Sequence, residues 1–464
     1  MLDINFNDTI AAVATPVGES GIGIVRISGK KALIIADRIF VSKDGQKPSG
    51  FKTYTIHYGW IADPSDQQSE IIDEVILTVM RKPRSYTRED IVEINCHGGI
   101  IPLRKILELV LDSGARLSKP GEFTQRAFLN GRIDLPQAEA VLDIIRSKTD
   151  SALSLSAGQL KGALSKRLNQ LRDKLLEILT VLDANIDFPD EDLETVDTKY
   201  ICSNLANLEQ ECRSLLENSK IGRIFREGIK VVICGKPNVG KSSLLNALLK
   251  CERSIVTPIA GTTRDTIEDI LDIRGIPVRI VDTAGIIEPR DLIERKAVSR
   301  SQRYIQEANL VLLVFDGSRG ISYEDEVLMH KTKLKPTLAL INKIDLKQRI
   351  KYEQITRRFK QVVRISAKRR KNIDLLEEAV AQFVFNGKVK SGEEIWISNL
   401  RHIQKLKNIQ KSIMRAKKSA NDNLSVELIA QDLKESVGFL DKILGRSFSE
   451  DLLNRIFSEF CIGK

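Results

Sequence analysis

Cysteine is scarce in this chain, and what there is forms no framework. The 464 residues hold six cysteines (Cys96, Cys202, Cys212, Cys234, Cys251 and Cys461), none in a C-x-x-C pair. That excludes a disulfide scaffold, disfavours a structural zinc site and fits a reducing compartment. Long apolar runs are missing as well, since no uncharged stretch reaches the roughly 18 residues a membrane span needs. The opening MLDINFNDTI carries acids rather than a basic leader, so a soluble, cytoplasmic protein without a membrane partner is expected. Internal repeats and low-complexity segments are also absent from the sequence.

What is present suffices for several cores. Hydrophobic residues make up 42% and charged residues 29%, a globular balance, and the length suggests about three domains. The 72 Lys and Arg exceed the 62 Asp and Glu, for a net charge of +10. Spread over so long a chain, that excess permits an anionic partner without requiring one.

The chain changes style along its length. Residues 1–120 mix short β-rich runs with turns: GIGIVRIS (21–28), EVILTVM (74–80) and DIVEINC (90–96) read as strands, and 101–114 as a helix ending on Gly114. Strands alternating with helices predict a compact α/β unit. From about 121 the pattern is helical. Asp134 can cap a helix whose first turn tolerates Pro136. Leu164, Leu168, Leu171, Leu175, Ile178 and Leu182 form one apolar stripe, the seam a bundle requires. Residues 227–387 alternate strand and helix as a parallel α/β domain does, and 388–464 is helical again. The expected fold is multi-domain α/β plus all-α: an N-terminal α/β domain (1–120), a helical domain in two parts (121–226 and 388–464), and a Ras-like P-loop domain (227–387) inserted between them.

The middle segment carries the strongest chemistry. The strand IKVVIC (229–234) runs into GKPNVGKS (235–242) and then a helix. Gly235 and Gly240 let backbone N–H groups turn inward around phosphates, Lys241 reaches the β and γ phosphates, and Ser242 can ligate Mg²⁺. VRIVDTAG (278–285) ends a second strand at Asp282, able to hold Mg²⁺ through water, with Gly285 for the γ phosphate. LALINKID (338–345) ends a third on Asn342-Lys343-Ile344-Asp345. The Asp345 carboxylate can pair with guanine N1–H and the 2-amine, which adenine lacks, and Ser366-Ala367-Lys368 can support the base. The set specifies guanine and points to a GTPase. Nucleotide contacts are expected along Asn238, Val239, Gly240, Lys241, Ser242 and Ser243. They continue along Thr257, Pro258, Ile259, Ala260, Gly261, Thr262 and Thr263, at Asp282, Thr283, Ala284 and Gly285, and in the base loops.

The catalytic details differ from small regulatory GTPases, where a Gln after the D-x-x-G glycine orients water. Here that position is Ile286, which cannot polarise water. Glu294, nine residues after Gly285, is the candidate water-orienting group; the alternative is a solvated helix-face carboxylate. Thr263 is the natural second Mg²⁺ hydroxyl. The Asn238 side-chain carbonyl, with carbonyls of the 257–262 loop, could bind K⁺ and do the charge work of an arginine finger.

These segments, with others, resemble the MnmE-type (TrmE) tRNA modification GTPases essentially end to end. The resemblance is carried by DTIAAVATPVGESGIGIVRISG (8–29), PGEFTQRAFLNGRIDLPQAEAV (120–141), GKPNVGKSSLLNAL with IAGTTRD and DTAG, and the terminal FCIGK (460–464). It implies a homodimer that joins an FAD-dependent partner (MnmG, also called GidA, with FAD and NADH) in a heterotetramer. Together they would add a carboxymethylaminomethyl or aminomethyl group to C5 of the wobble uridine (position 34) of certain tRNAs. A 5-formyl- or 5,10-methylene-tetrahydrofolate on the N-terminal domain would supply the carbon. By motif, the resemblance assigns folate binding to Arg26, Glu93, Arg132 and Lys464. It assigns K⁺ to Asn238, Thr257, Ile259 and Thr262, Mg²⁺ to Ser242 and Thr263, water orientation to Glu294, and a role in modification to Cys461. A thiolate can add to a carbon centre; the other reading of Cys461 is a buried thiol packed on the bundle. Ile287 departs from the Arg many members carry there, which touches switch-loop contacts rather than nucleotide binding.

Residues 401–418 hold seven Lys and Arg and no acid, either a tRNA-facing stripe or a solvated helix face. The cluster of Arg364 with Lys368 to Lys371 reads as solvated. Two other classes compete with the family reading: a GTP-controlled ribosome-assembly or RNA-binding protein without modification chemistry, and a membrane-remodelling GTPase. Folate binding and liposome sedimentation would separate them.

Overall fold

The computed structural model describes residues 7–63, 70–187, 198–251, 269–282, 304–385 and 396–464. The chain forms two compact units, Met1–Leu142 with Asp441–Lys464, and Asp143–Leu440. The architecture is α/β plus all-α, with the second α/β sheet inserted in chain order between helices.

The first unit is built on a seven-stranded sheet: β1 (Ile10–Val13), β2 (Ser20–Ser28), β3 (Phe40–Ser42), β4 (Thr55–Ala62), β5 (Ile71–Met80), β6 (Ile91–Gly98) and β7 (Arg116–Leu117). Their order is β3-β4-β5-β6-β2-β1-β7. The expected strands are there, but the pairing is antiparallel except between β1 and β7. Alternation along each strand decides the two faces. Val25, Ile27, Leu77, Val79, Val92 and Ile94 are buried with Leu33, Ile35, Leu103 and Ile106 from the helices Ala32–Ile39 and Ile100–Asp112. The intervening positions, among them Arg26, Tyr58, Ile76 and Glu93, share the opposite face, where Arg26 pairs across the ladder with Glu93 and Tyr58 with Ile76.

Asp134 caps the next helix as its sequence predicts. Its carboxylate accepts the Gln137 N–H at 2.9 Å, and the Gln137 side chain accepts the Asp134 N–H at 3.0 Å, a reciprocal capping box. A separate cluster joins Ala127, Phe128, Ile133 and Leu135 to Leu453, Phe457 and Phe460, so the last helix, Glu450–Phe457, belongs to this unit's core.

Beside it sits a buried charge network. The guanidinium of Arg126, wholly buried, donates to Asp8 at 2.7 Å, Glu122 at 3.0 Å and Glu89 at 3.2 Å. Arg116 also reaches Glu122 and Asp8. Burial alone would raise the Glu122 carboxyl, but hydrogen bonds from Arg116, the Lys119 N–H and Arg126 outweigh it and hold the group below its ordinary 4.5. A depressed carboxyl contributes stability that is full above its unfolded value and lost as pH falls through the folded one. Breaking a buried pair from one side costs about 3–5 kcal/mol. Arg126→Met is therefore expected to lower the first unit's calorimetric transition sharply at pH 7. The deficit should shrink as pH falls and Asp8 and Glu122, both held down in part by Arg126, take up protons in either protein. A variant as stable as the wild type at pH 7 would refute this.

The second unit contains the helices Asp150–Leu160, Ala163–Asp187, Thr198–Glu227 and Leu400–Asn421. The predicted stripe from Leu164 to Leu182 is buried throughout. Phe188-Pro189 and the acidic run Asp190-Glu191-Asp192, whose proline and charges would end this helix, lie outside the described residues. The sheet comprises β8 (Ile229–Cys234), β9 (Asp269–Ile273), β10 (Ile276–Asp282), β11 (Leu310–Asp316), β12 (Thr337–Asn342) and β13 (Val362–Arg364), in the order β13-β12-β11-β8-β10-β9. All neighbours are parallel except β9 with β10. Strands covered on both faces read as unbroken apolar runs, and the two sides separate cleanly. Val231, Ile233, Leu312 and Val314 join one core, while Val232, Cys234, Val311, Leu313 and Phe315 join the other. The β9–β10 turn docks on a helix start: Thr149 accepts the Ala152 N–H at 3.2 Å and donates to the Gly275 carbonyl at 2.9 Å. Among the described residues no helix is long and apolar enough to cross a membrane.

Candidate nucleotide and C-terminal tail sites

The phosphate loop follows from where glycine stands. Gly235 (φ 157°) would bring a Cβ within 2.6 Å of the Val314 carbonyl, and Gly240 (φ 98°) within 2.4 Å of the Asn342 side-chain nitrogen. Only a residue without Cβ permits both approaches. Asn238, between them, is left-handed (φ 62°), a conformation asparagine tolerates. The helix Lys241–Cys251 begins directly after the loop, so its free N–H groups and dipole face the loop's mouth. Lys241, 8% exposed, donates to the carbonyls of Gly235 at 3.0 Å and Lys236 at 2.8 Å. That holds a cation at the place where phosphate charge is expected. Ser242 and Ser243 are exposed in the helix's first turn. Asp282 ends β10 and pairs in register with Ile233 of β8, so the backbone sets it beside the loop. A hydroxyl and a carboxylate are hard oxygen donors suited to Mg²⁺.

Asn342 joins three segments far apart in sequence. Its amide donates to the Val239 carbonyl at 2.8 Å, and its oxygen accepts the N–H groups of Ala367 at 3.0 Å and Lys343 at 2.8 Å. At 2% exposure, these bonds tie the phosphate loop to both base loops. Lys343 (φ 65°) extends over the same loop, donating to the Asn238 carbonyl and the Asp316 carboxylate, each at 2.7 Å. Asp345, exposed, accepts from the Ser366 hydroxyl at 2.6 Å. That hydrogen bond, with the charges of Arg369 and Lys368, holds its carboxyl below the ordinary value of 3.8. An ionised, outward acceptor is what guanine's two adjacent donors require.

Sequence reading missed two supports. Asp316 anchors Lys343 and accepts from Ser318. Lys236 bridges to Asp325 at 2.6 Å and Ser322 at 2.8 Å, fastening the loop to the helix Tyr323–Thr332. The only local signals were an acid ending a buried run and a Lys inside the G-x-x-x-x-G-K motif. Thr257, Pro258, Ile259, Ala260, Gly261, Thr262, Thr263, Thr283, Ala284, Gly285 and Glu294 lie outside the described residues.

In the first unit the chain's end folds against the open sheet face. Arg26 binds Glu93 at 2.7 Å, donates to the Gly463 carbonyl at 3.0 Å and lies over the Phe123 ring. Gly463 (φ 92°) would set a Cβ 2.4 Å from the Val13 carbonyl, which makes glycine obligatory there. The Phe123 N–H donates to the Lys464 carbonyl at 3.2 Å, and the Gly121 N–H to that of Cys461 at 3.4 Å. Arg26, Glu93 and the backbone of Lys464 thus come together. Arg132 stands over Tyr86, whose hydroxyl meets Thr124; the structure gives it no direct contact with Arg26 or Glu93.

Cys461 is exposed, which overturns the buried-thiol alternative: it follows the core residue Phe460 but its own side chain stays in solvent. Burial pushes the thiols of Cys96, Cys212 and Cys234 to about 11, 12 and 11, leaving almost no thiolate at neutral pH. The basic run 401–418 is partly spent on packing. Arg415 pairs with Asp432 and Glu435, Lys417 with Glu209 at 2.8 Å, and Lys405 covers the Phe439 ring.

The family models described as "MnmE helical domain" and "GTP-binding protein TrmE N-terminus" match residues 135–461 and 9–132. A protein named tRNA modification GTPase MnmE from Carboxydothermus hydrogenoformans is 46% identical, covering 98% of this chain and 99% of its own. Proteins of the same name from Desulforamulus reducens (46%, covering 99% and 100%) and Bacillus licheniformis (44%, covering 98% and 100%) are similar over the same extent.

Proposed function

Because the chain belongs to the MnmE (TrmE) family, we propose that it is a cytoplasmic, K⁺-dependent GTPase that works in tRNA wobble-uridine modification. With an FAD-dependent partner it adds a carboxymethylaminomethyl or aminomethyl group to C5 of uridine 34, using a tetrahydrofolate-borne carbon. The observation that carries the reading is the presence, in one chain, of guanine-nucleotide loops tied at Asn342 and a Cys461–Lys464 tail seated beside the Arg26–Glu93 pair.

The residues divide the work. Lys241, the loop amides and the first turn of its helix neutralise phosphate charge, and Ser242, Thr263 and Asp282 supply oxygens for Mg²⁺. Asp345, fixed by Ser366, selects guanine. Asn238 with the carbonyls of Thr257, Ile259 and Thr262 holds K⁺, and Glu294 orients the attacking water. In the first unit Arg26, Arg132 and Lys464 offer cations to folate carboxylates or carbonyls, and Glu93 suits the adjacent N–H donors of a pterin. Bound folate supplies the one-carbon unit; the chain's part is to hold it near the tail.

Dimerisation is supported by the same sheet face. Val41, Ile56, Tyr58 and Ile76 lie on it, and Ile56 is 70% and Ile76 47% exposed. A contiguous apolar stripe of this kind suits a second copy. The test of the reading is reconstituted modification of a tRNA transcript with the FAD partner, folate and GTP. Cys461→Ser is expected to abolish modified uridine while leaving GTP turnover within about twofold, because an exposed tail thiol has no part in the nucleotide loops. Wild-type protein that forms no modified base, or a serine variant that modifies normally, would contradict it.

A further inference from the structure

The second unit has a groove of about 1170 Å³ away from the nucleotide loops. It opens where β11 and β12 begin, at Leu310 and Thr337, between the end of the helix Tyr323–Thr332, the segment 357–361 and the end of the helix Ile373–Phe385. Those parallel strands carry the nucleotide loops at their other, carboxyl ends, where open α/β sheets bind their principal ligand. The groove is therefore a separate surface.

Its charge is one-sided. Among the described residues, Lys333, Lys335, Arg358 and Lys360 line it against one acid, Glu326. Arg358 lies 3.9 Å from Glu326, so these two offset each other, and Lys335 is turned onto the carbonyls of Gln306 and Ala308. Lys333 and Lys360 are exposed and, among the described residues, have no ion-pair partner. The same groove is lined by two half-buried rings, Phe359 and Phe383, and Phe359 is backed by Phe315 at 6.3 Å. Solvated lysines and aromatic rings in one groove are the two components that single-stranded nucleic acid uses: phosphates for the cations and base faces for the rings. An acidic peptide would need apolar side chains of its own to use the rings, whereas every nucleotide brings a phosphate and a base together.

We propose that this groove binds the tRNA substrate, taking the phosphodiester backbone of an unpaired segment on Lys333 and Lys360 with a base against Phe359 or Phe383. The inference rests on the tRNA reading above and adds to it the surface that holds the RNA.

The experiment uses the full chain with both lysines reversed (Lys333→Glu, Lys360→Glu). A control reverses two exposed lysines elsewhere in the same unit (Lys161→Glu, Lys220→Glu). Affinity for a fluorescent tRNA transcript is followed by anisotropy over a series of KCl concentrations. Each lost phosphate contact should lower the slope of log affinity against log salt by about 1. The groove variant should therefore lose about 2 in slope and roughly tenfold in affinity at low salt. Its GTP turnover and thermal transitions should match the wild type, and the control should bind almost normally. Unchanged binding by the groove variant, or an equal loss in the control, would overturn the groove while leaving the tRNA reading intact. A wild-type chain with no affinity for tRNA would overturn both.

Discussion

Replacing KCl by NaCl is expected to slow GTP turnover about 10³-fold, the lower end of what a transition-state cation contributes in this chemistry. Ile286 stands where a water-orienting Gln would stand, so the chain needs another source of transition-state charge. The Asn238 backbone carbonyl is taken by Lys343, while its side chain is exposed and, among the described residues, has no hydrogen-bond partner. In the proposed mechanism the amide oxygen of this left-handed residue would complete a K⁺ shell with carbonyls of the 257–262 loop. Na⁺ is smaller and draws its ligands closer than a shell built for K⁺ allows. Asn238→Ala should bring the KCl rate down to the NaCl rate. Glu294→Ala should cost about 10²- to 10⁴-fold, the usual worth of a positioned general base, in either salt and with little change in nucleotide affinity. Equal rates in both salts, with Glu294 dispensable, would remove the cation-plus-carboxylate mechanism and leave GTP binding standing.

Asp345→Asn is expected to weaken GTP binding at least about 100-fold, measured by titration calorimetry. Hydrogen bonds to a charged group contribute roughly 1.5–3 kcal/mol each, and the carboxylate would make two, to guanine N1–H and the 2-amine. Asparagine keeps one acceptor and turns the other position into a donor facing an amine. Xanthosine triphosphate carries a carbonyl there, so the variant should prefer it to GTP. Asp345 is exposed and, among the described residues, its side chain bonds only to Ser366, so the exchange leaves the fold intact. A variant that still binds GTP as the wild type does would show that the N-K-x-D segment does not read the base. Ionisation is secured by the Ser366 hydroxyl, which holds the carboxyl below its ordinary value. Base recognition should accordingly be flat from pH 8 down to about pH 5 and weaken only as the group takes up a proton.

The predicted strands, the helix stripe and the nucleotide motifs were legible because each is local. A β-branched run entering G-x-x-x-x-G-K, or leucines at helical spacing, states its own conformation without reference to distant residues. β11 was passed over for the opposite reason. LVLLVFD carries no chemical punctuation until Asp316, and its buried position is set by neighbours on both sides. The antiparallel order of the first sheet was not legible either, since pairing depends on which strands meet.

By itself the amino-acid sequence determined the family, the guanine-nucleotide motifs and the residue types at both sites, because spacing within a motif is a property of adjacent residues. Tertiary structure alone decided that Asn342 ties Val239 to Ala367, that Lys343 rests on Asp316, and that Gly463 comes to Arg26 across 437 positions of chain. It also decided that the basic run 401–418 spends Arg415 and Lys417 on ion pairs, and that four cations and two phenylalanines share one groove. The reason is the same in each case: a hydrogen bond or an ion pair acts over about 3 Å, and only the folded chain brings residues so distant in sequence within that range.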